Sequence, residues 1–373
     1  MRVGLLYYDL NSSGGRQQVV ISIIRALRKL GLGTVLLCGK KTDKSFIRNN
    51  FGVNLEVHKE LVLPIWPSRV QTYFGLLLPV IAKPFCDVLI NPYSNDILPQ
   101  VDVTYFHYAQ QLILRQKMRE SKTWNHYYRP YQAVQRALAV RASHRLLLAN
   151  SFFTANVIRE QIGITPVVIY PPVFLRKTTN SAHTRKNIVL TIARFSLEKK
   201  LEQIPLVARD VDANFVILGS VRDATSTSYS RVCRLIKEYG VKDRVTMIIN
   251  APNNFDVKME LLQKAKVYFH TMPFEPFGIS IVEGMGAGCI PVVHDSGGAR
   301  EFVPKRWRYK DTEDAKQKIK EALDSWSNSI AKDMETIAYQ FREERFIDDF
   351  SETLNAYLRE RNKTKVVSEN VSY

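Results

Sequence analysis

Short apolar runs alternate with helix-period segments along most of this chain, and a single Pro-Pro step divides the alternation in two. Val3 to Tyr8 reads as a buried strand, Gln17 to Leu30 as an amphipathic helix stopped at Gly31, and Thr34 to Cys38 as a second strand. Asp87 to Asn91, Val101 to Phe106 and Leu146 to Ala149 are further short strands, and Asn150-Ser151 caps a helix over Phe152 to Ile162. At Tyr170-Pro171-Pro172, followed by the polar, basic run Arg176 to Lys186, neither a helix nor a central strand can continue. Alternation then resumes with strands at Ile188 to Ile192, Asn214 to Gly219, Val245 to Ile249 and Val267 to His270. The helices between them are read over Leu201 to Arg209, Ser230 to Tyr239 and Val257 to Ala265, and the tail from Asp314 to Arg361 is helical and highly charged.

Parallel strands joined by helices are buried on both faces, so the pattern implies an α/β chain with two doubly wound, Rossmann-like domains. A length of 373 residues exceeds one compact core. The expected division is 1–172, a linker over 173–187, and 188–340. Ligand is expected in a central cleft between the domains, outside the carboxyl ends of the strands.

The most informative stretch runs from Phe274 to Gly298: Phe274-Glu275-Pro276-Phe277-Gly278-Ile279, then Glu283, then Gly286-Ala287-Gly288, a buried strand, and Asp295-Ser296-Gly297-Gly298. Glu275 lies in a loop and Glu283 within a short helix opening at Gly278 and Ile279. The N-terminus of a helix presents N–H groups and partial positive charge to a phosphate or to sugar hydroxyls. One carboxylate can then hold a ribose while Glu275 addresses a sugar. The plainer alternative is a strand, a loop and a helix with one solvated glutamate.

Other groups stand at strand ends. Arg194 and Lys199 follow the first strand of the second half and could clamp a diphosphate, unless they form a surface pair near Glu198. Gly14-Gly15 follows the first strand and lets backbone approach a phosphate, although a simple tight turn also accounts for it. It lacks the GxGxxG and GK[ST] spacings, which makes NAD and ATP poor fits. His107 ends the strand Val103 to Phe106, facing a cleft or serving a structural role. Asn250-Ala251-Pro252 ends another strand, where a nucleotide base could rest. No Asp-x-Asp stands after a strand, so no metal is expected. The ensemble points to a nucleotide-diphosphate-sugar enzyme.

Cys38, Cys86, Cys233 and Cys289 are scattered, which favours a reducing, cytoplasmic compartment. No secretory signal is read at the start, and the apolar run Tyr73 to Ala82 is far shorter than the roughly twenty residues of a spanning helix. The net charge is +17, and Arg115 to Arg145 carries eight Lys or Arg against one acid, interleaved with Trp124, Tyr127, Tyr128 and Tyr131. Such a mixture suits an anionic membrane surface, or a solvated basic helix with its aromatics turned inward. No nucleic-acid-binding module is legible, so nucleic acid is not an expected partner.

Glu275-x7-Glu283 with Phe277-Gly278, Arg194 five before Lys199, and the Gly14-Gly15 loop resemble the retaining glycosyltransferases of the GT-B fold, their large fourth family. Phe106-His107-Tyr108, Asn250-x-Pro252, His270-Thr271-Met272 and His294-x-Ser296-Gly297-Gly298 are similar to the branch of α-1,2-mannosyltransferases that extends dolichol-linked oligosaccharides. Ala109 departs from that branch's proline, and its leading membrane anchor is not expected in this sequence.

The resemblance implies transfer of mannose from GDP-mannose to a polyprenyl- or dolichyl-linked saccharide with retention, by a protein held peripherally at the membrane. Alternatives are a UDP-sugar-dependent enzyme with another acceptor, and a non-catalytic basic membrane-binding protein of the same fold. Carried over by position, Arg194 and Lys199 bind the donor diphosphate and Glu283 the ribose. Glu275 with the amides of Phe277, Gly278 and Ile279 holds the sugar, Gly15 sits near the phosphates, and His107 lies near the reacting centre. The last helix, over 341–361, is expected to return to the first domain, and the segment Leu61 to Phe85, with Trp66 and Tyr73, is a candidate for lipid contact.

Overall fold

The computed structural model describes residues 1–12, 14–63, 76–108, 122–142, 144–175, 185–221, 227–251 and 254–370. The described residues form two compact units. The first comprises 1–48, 53–172 and 343–373, and the second 49–52 and 173–342.

The first unit is built on a wholly parallel sheet in the order β3-β2-β1-β4-β5-β6-β7. Its central strands, β1 (Arg2–Leu6), β4 (Val88–Asn91), β5 (Val103–Phe106) and β6 (Leu146–Ala149), are almost continuously apolar because helices cover both faces. β2 (Gly33–Cys38) and β3 (Lys59–Val62) extend one way from β1, and β7 (Val167–Val168) closes the other side. Strand order therefore reverses between β1 and β4. The helix Phe152–Ile162 starts where Ser151 accepts a hydrogen bond from the Thr154 amide and ends at left-handed Gly163, a cap worth about 1 kcal/mol.

The second unit repeats the design in a six-stranded parallel sheet ordered β10-β9-β8-β11-β12-β13. The strands are β8 (Lys186–Ile192), β9 (Asn214–Gly219), β10 (Val245–Ile249), β11 (Ala265–His270), β12 (Ile290–His294) and β13 (Arg308–Tyr309). Here the order reverses between β8 and β11. β8 begins inside the span read as linker, because its first two residues are exposed polar positions that carry no apolar signal.

The charged tail is three helices, Thr312–Ser325, Asn328–Tyr339 and Glu343–Asn370. Asp311 and Ser327 cap the first two through their side chains. The third belongs to the first unit. Glu343 accepts from the Ser22 hydroxyl at 2.8 Å and pairs with Arg25, both on the helix Gly15–Lys29. Phe350 and Leu354 are wholly buried, and Arg361 reaches Asp102 at 3.3 Å. Val173 and Arg342, the first and last residues of the second unit's long segment, lie side by side in a parallel bridge.

Within the basic-aromatic stretch, the helix Lys122–Val140 buries Tyr128 and Tyr131, which places those two rings in the core rather than at a membrane interface. Residues 109–121 and the side chains of Trp124 and Tyr127 lie outside the description, as do 64–75 with Trp66 and Tyr73, and the linker residues 176–184. Among the described residues no helix is long and apolar enough to cross a membrane.

Candidate functional site

In an open parallel sheet, loops leaving neighbouring strands in opposite directions open a crevice where the strand order reverses. In the second unit those loops follow β8 and β11. After β8 the chain passes through a short turn, Leu197–Lys199, and left-handed Lys200 (φ 51°). The Thr271 hydroxyl, just beyond β11, donates to the Lys199 carbonyl and ties the two loops together. Across this junction the Lys199 ammonium lies 2.6 Å from Glu275 Oε2, and His270 Nε2 lies 3.2 Å from the same oxygen.

Burial alone would raise the Glu275 carboxyl, but the Lys199 charge and the His270 hydrogen bond outweigh it and hold it well below the usual carboxylate range. Burial pushes the His270 imidazole down, against the pull of Glu275. The ring is therefore neutral near pH 7 and donates from Nε2–H to the carboxylate. The cluster thus carries one buried carboxylate, one ammonium and one neutral imidazole.

The loop bearing Glu275 is braced from behind. The Gly298 amide donates to the Glu275 carbonyl at 2.8 Å, and the Phe274 amide donates to Ser296 Oγ at 2.7 Å. His294 Nδ1 meets the same hydroxyl at 2.7 Å. A Cβ added to Gly298 would fall 2.0 Å from the Pro276 carbonyl oxygen, and Gly297 has φ 74°. Only glycines admit so close an approach. The Ser-Gly-Gly stretch is therefore a clamp on the glutamate loop.

Left-handed Gly278 (φ 97°) then opens the helix Ile279–Gly286. Glu283 is nearly buried on it and accepts from Lys258 Nζ at 2.7 Å. Lys258 belongs to the helix Asn254–Lys264 after β10. Gly284 lets the Glu283 helix lie directly on β11, since a Cβ there would meet the Tyr268 ring at 2.7 Å.

The structure separates the two basic residues paired in the sequence reading. Lys199 turns into the cluster, whereas Arg194 is about half exposed and 3.8 Å from Glu198. Asn250 (φ 49°) exchanges hydrogen bonds with the Val221 backbone, closing the loop after β9, and Pro252 lies outside the description. The Phe277 ring is core, packed on Phe302 and Phe341, so the ring itself does not face a ligand. Gly278 and Ile279 stand at the first turn of the helix, where amides lack intrahelical acceptors.

In the first unit, Gly14 is exposed just ahead of the helix Gly15–Lys29, of which Gly15 is the first residue. His107 follows β5 and is buried. Its Nε2 lies 2.8 Å from the Pro92 carbonyl, its amide donates to Asn95 Oδ1, and its carbonyl accepts from Asn150. Burial, helped by the Arg16 charge and opposed by Pro92, pushes its imidazole down to about 3. His107 is thus a neutral ring donating from Nε2–H. Arg16 itself lies over the rings of Tyr93 and Tyr108 at 5.7 and 5.8 Å. Among the described residues no group of His, Cys, Asp and Glu is arranged to hold a metal ion.

Two participants were not assigned roles from the sequence. Lys258 sits in a helix with no distinguishing spacing, and the partnership of His270 with Glu275 requires the turn between them. Only the position of His270 at a strand's carboxyl end hinted at it.

Residues 176–341 match the family model described as glycosyl transferases group 1. The chain is 28% identical over 290 residues to the GDP-Man:Man(3)GlcNAc(2)-PP-Dol alpha-1,2-mannosyltransferase of Dictyostelium discoideum, covering 72% of this chain and 56% of that one. The Neurospora crassa protein of the same name is 34% identical over 155 residues, 37% of this chain and 28% of its own. The chain thus spans about half the length of the first relative and less of the second. Among solved structures, sucrose-phosphate synthase from Thermosynechococcus elongatus superposes with a TM-score of 0.77 at 15% identity, covering 96% of this chain and 99% of that one. Anabaena HepE in complex with UDP and glucose gives 0.73 at 19%, covering 95% and 100%. These likenesses show a GT-B fold.

Proposed function

We propose that the protein is a retaining glycosyltransferase that moves mannose from GDP-mannose to a lipid-linked oligosaccharide at the cytoplasmic face of a membrane. The observation that carries the reading is the Lys199–Glu275–His270 cluster at the point where strand order reverses in the second sheet. The names of the Dictyostelium and Neurospora relatives give GDP-Man as donor and Man(3)GlcNAc(2)-PP-Dol as acceptor, which supports the choice of sugar and acceptor class.

In this reading Lys199, with one proton engaged by Glu275, directs its others to the donor diphosphate, and Arg194 approaches from the solvent side. Glu275 and the first-turn amides at Phe277, Gly278 and Ile279 hold the hexose hydroxyls. Glu283, fixed by Lys258, accepts from the ribose hydroxyls, and Asn250 borders the base. The resemblance assigns the Gly14-Gly15 turn to phosphate and His107 to the reacting centre.

Retention follows from front-face attack. The acceptor oxygen bonds to C1 as the C1–O–phosphate bond breaks, and the acceptor proton passes to the departing diphosphate. Lys199 stabilises the charge that develops on that leaving group. No metal enters this scheme.

The membrane part of the reading is supported by Leu77, Val80, Ile81 and Phe85, which are exposed at the helix Leu78–Ala82 and its flanks. A UDP-sugar donor is the second reading, favoured by UDP and glucose in the HepE neighbour. Calorimetric binding of GDP-mannose, UDP-glucose and UDP-GlcNAc, with Lys199→Ala and Glu283→Ala as controls, tests both. A GDP-mannose preference lost in both variants supports mannose transfer, a UDP-sugar preference overturns mannose, and no binding overturns the enzyme.

A further inference from the structure

Phe274 combines a solvent-exposed ring with an unfavourable backbone conformation. It is 63% exposed, and its backbone lies in the left-handed region at φ 55°. That region is a genuine outlier for a bulky aromatic residue. A glycine would adopt it freely, and a polar side chain would be better solvated. Other exposed aromatics such as Phe152 and Tyr339 lie in regular helices with ordinary backbone.

The unusual backbone is fixed in place. The Phe274 amide donates to Ser296 Oγ, which meets His294 Nδ1, and the His294 ring lies 6.4 Å from the Phe274 ring. A Cβ on Gly297 would come within 2.8 Å of the Phe274 carbonyl carbon, so the Gly297 backbone packs directly behind Phe274. Strain held this firmly beside charged groups is the mark of a ligand contact.

We infer that Phe274 is a stacking platform for a pyranose ring. A pyranose presents an apolar C–H face together with hydroxyls around its edge. The exposed Phe274 ring matches the face, and the adjacent Glu275 carboxylate, with Lys199 and His270 behind it, matches the edge. The placement also favours sugar over base. Asn250 follows β10 at one side of the sheet, whereas Phe274 follows β11 on the other side of the reversal and is tied to the loop after β12. The ring is either the transferred sugar of the donor or the terminal sugar of the acceptor. The inference rests on the donor-site reading above and adds to it a residue that selects the saccharide.

The test uses the full chain with Phe274→Gly and Phe274→Trp, GDP alone, GDP-mannose, and a polyprenyl diphosphate carrying Man3GlcNAc2 as acceptor. The glycine variant should melt no lower than wild type, because it relieves the backbone, and should bind GDP unchanged. Its KM for one saccharide substrate should rise roughly three- to tenfold, with the tryptophan variant close to wild type. A rise for the acceptor alone assigns the platform to the acceptor sugar, and a rise for GDP-mannose alone assigns it to the transferred sugar. Both KM values within twofold of wild type, or a loss of affinity for GDP itself, would overturn the platform. A wild-type chain that binds neither GDP nor GDP-mannose overturns the donor-site reading, and the platform with it, before any substitution is made.

Discussion

The Lys258 ammonium lies 2.7 Å from the Glu283 carboxylate, with both side chains almost withdrawn from solvent. A buried pair of this kind adds little over an apolar pair, but removing one partner strands the other charge. Lys258→Met should therefore cost about 3–5 kcal/mol of stability. Adding Glu283→Gln should recover part of that loss, and urea denaturation of the two single variants and the double variant measures the coupling.

Lys199 and Arg194 should differ in their effects. Lys199 is fixed in the cluster, so Lys199→Ala is expected to lower kcat by about a hundredfold or more. Arg194 is half exposed and loosely paired with Glu198, so Arg194→Ala should cost less. Steady-state kinetics of the two variants gives the order, and equal losses would refute the separation of roles.

Gly284 permits the close approach of the Glu283 helix to β11. Gly284→Ala would push its methyl group into the Tyr268 ring, costing about 1–3 kcal/mol. The same displacement moves Glu283, so nucleotide affinity should fall together with the melting temperature. A variant that melts lower but binds GDP-mannose like wild type would show that the helix position does not set the ribose contact.

Two buried groups in the first unit give opposite dependences on pH. His107 is depressed from 6.5 to about 3, so between these values the unfolded chain binds the extra proton and stability rises with pH. Asp96 is raised by burial from 3.8 to about 6, so the folded chain holds the extra proton and stability falls as pH rises through that range. Each slope is about 1.4 kcal/mol per pH unit, and the two nearly cancel between about pH 4 and 6. Asp96→Asn should expose the His107 slope and make the protein more acid-labile, while His107→Gln should reverse the trend. Thermal melts from pH 4 to 7 read both.

If Val80 and Ile81 meet lipid, replacing both with aspartate should weaken binding to vesicles containing anionic lipid. Binding by the wild-type chain should also fall as salt is raised, through screening of its basic surface. Salt-insensitive binding would remove the electrostatic part of the membrane reading.

Much of the secondary structure was legible because its signals are local. Leu146–Ala149, Phe152–Ile162, Asn214–Gly219 and Val245–Ile249 coincide with their sequence readings, since each is a short apolar run or a capped periodic segment. The breaks in the tail were missed although Ser327 and Asp311 are ordinary cap residues, because charge dominated that reading. In the site, the two glutamates were legible from their spacing around a glycine turn. Their lysines were not foreseen as partners, since Lys199 reaches Glu275 only through parallel pairing of β8 and β11, and Lys258 reaches Glu283 only through packing of two helices. Phe277 is read as a site residue through its amide, and the inward turn of its ring leaves that reading as it stands.

The helix Glu343–Asn370 completes the first unit with Phe346, Phe350 and Leu354, all buried. On the ribosome those side chains emerge only after the whole of the second unit. At about 5–20 residues per second, the interval after residue 172 is on the order of 10–40 s. Throughout it the apolar face awaiting that helix stays uncovered, and by its end the later-made half has all of its strands. The half that is synthesised first is therefore the last to mature, and it is the part of this chain that most needs a chaperone.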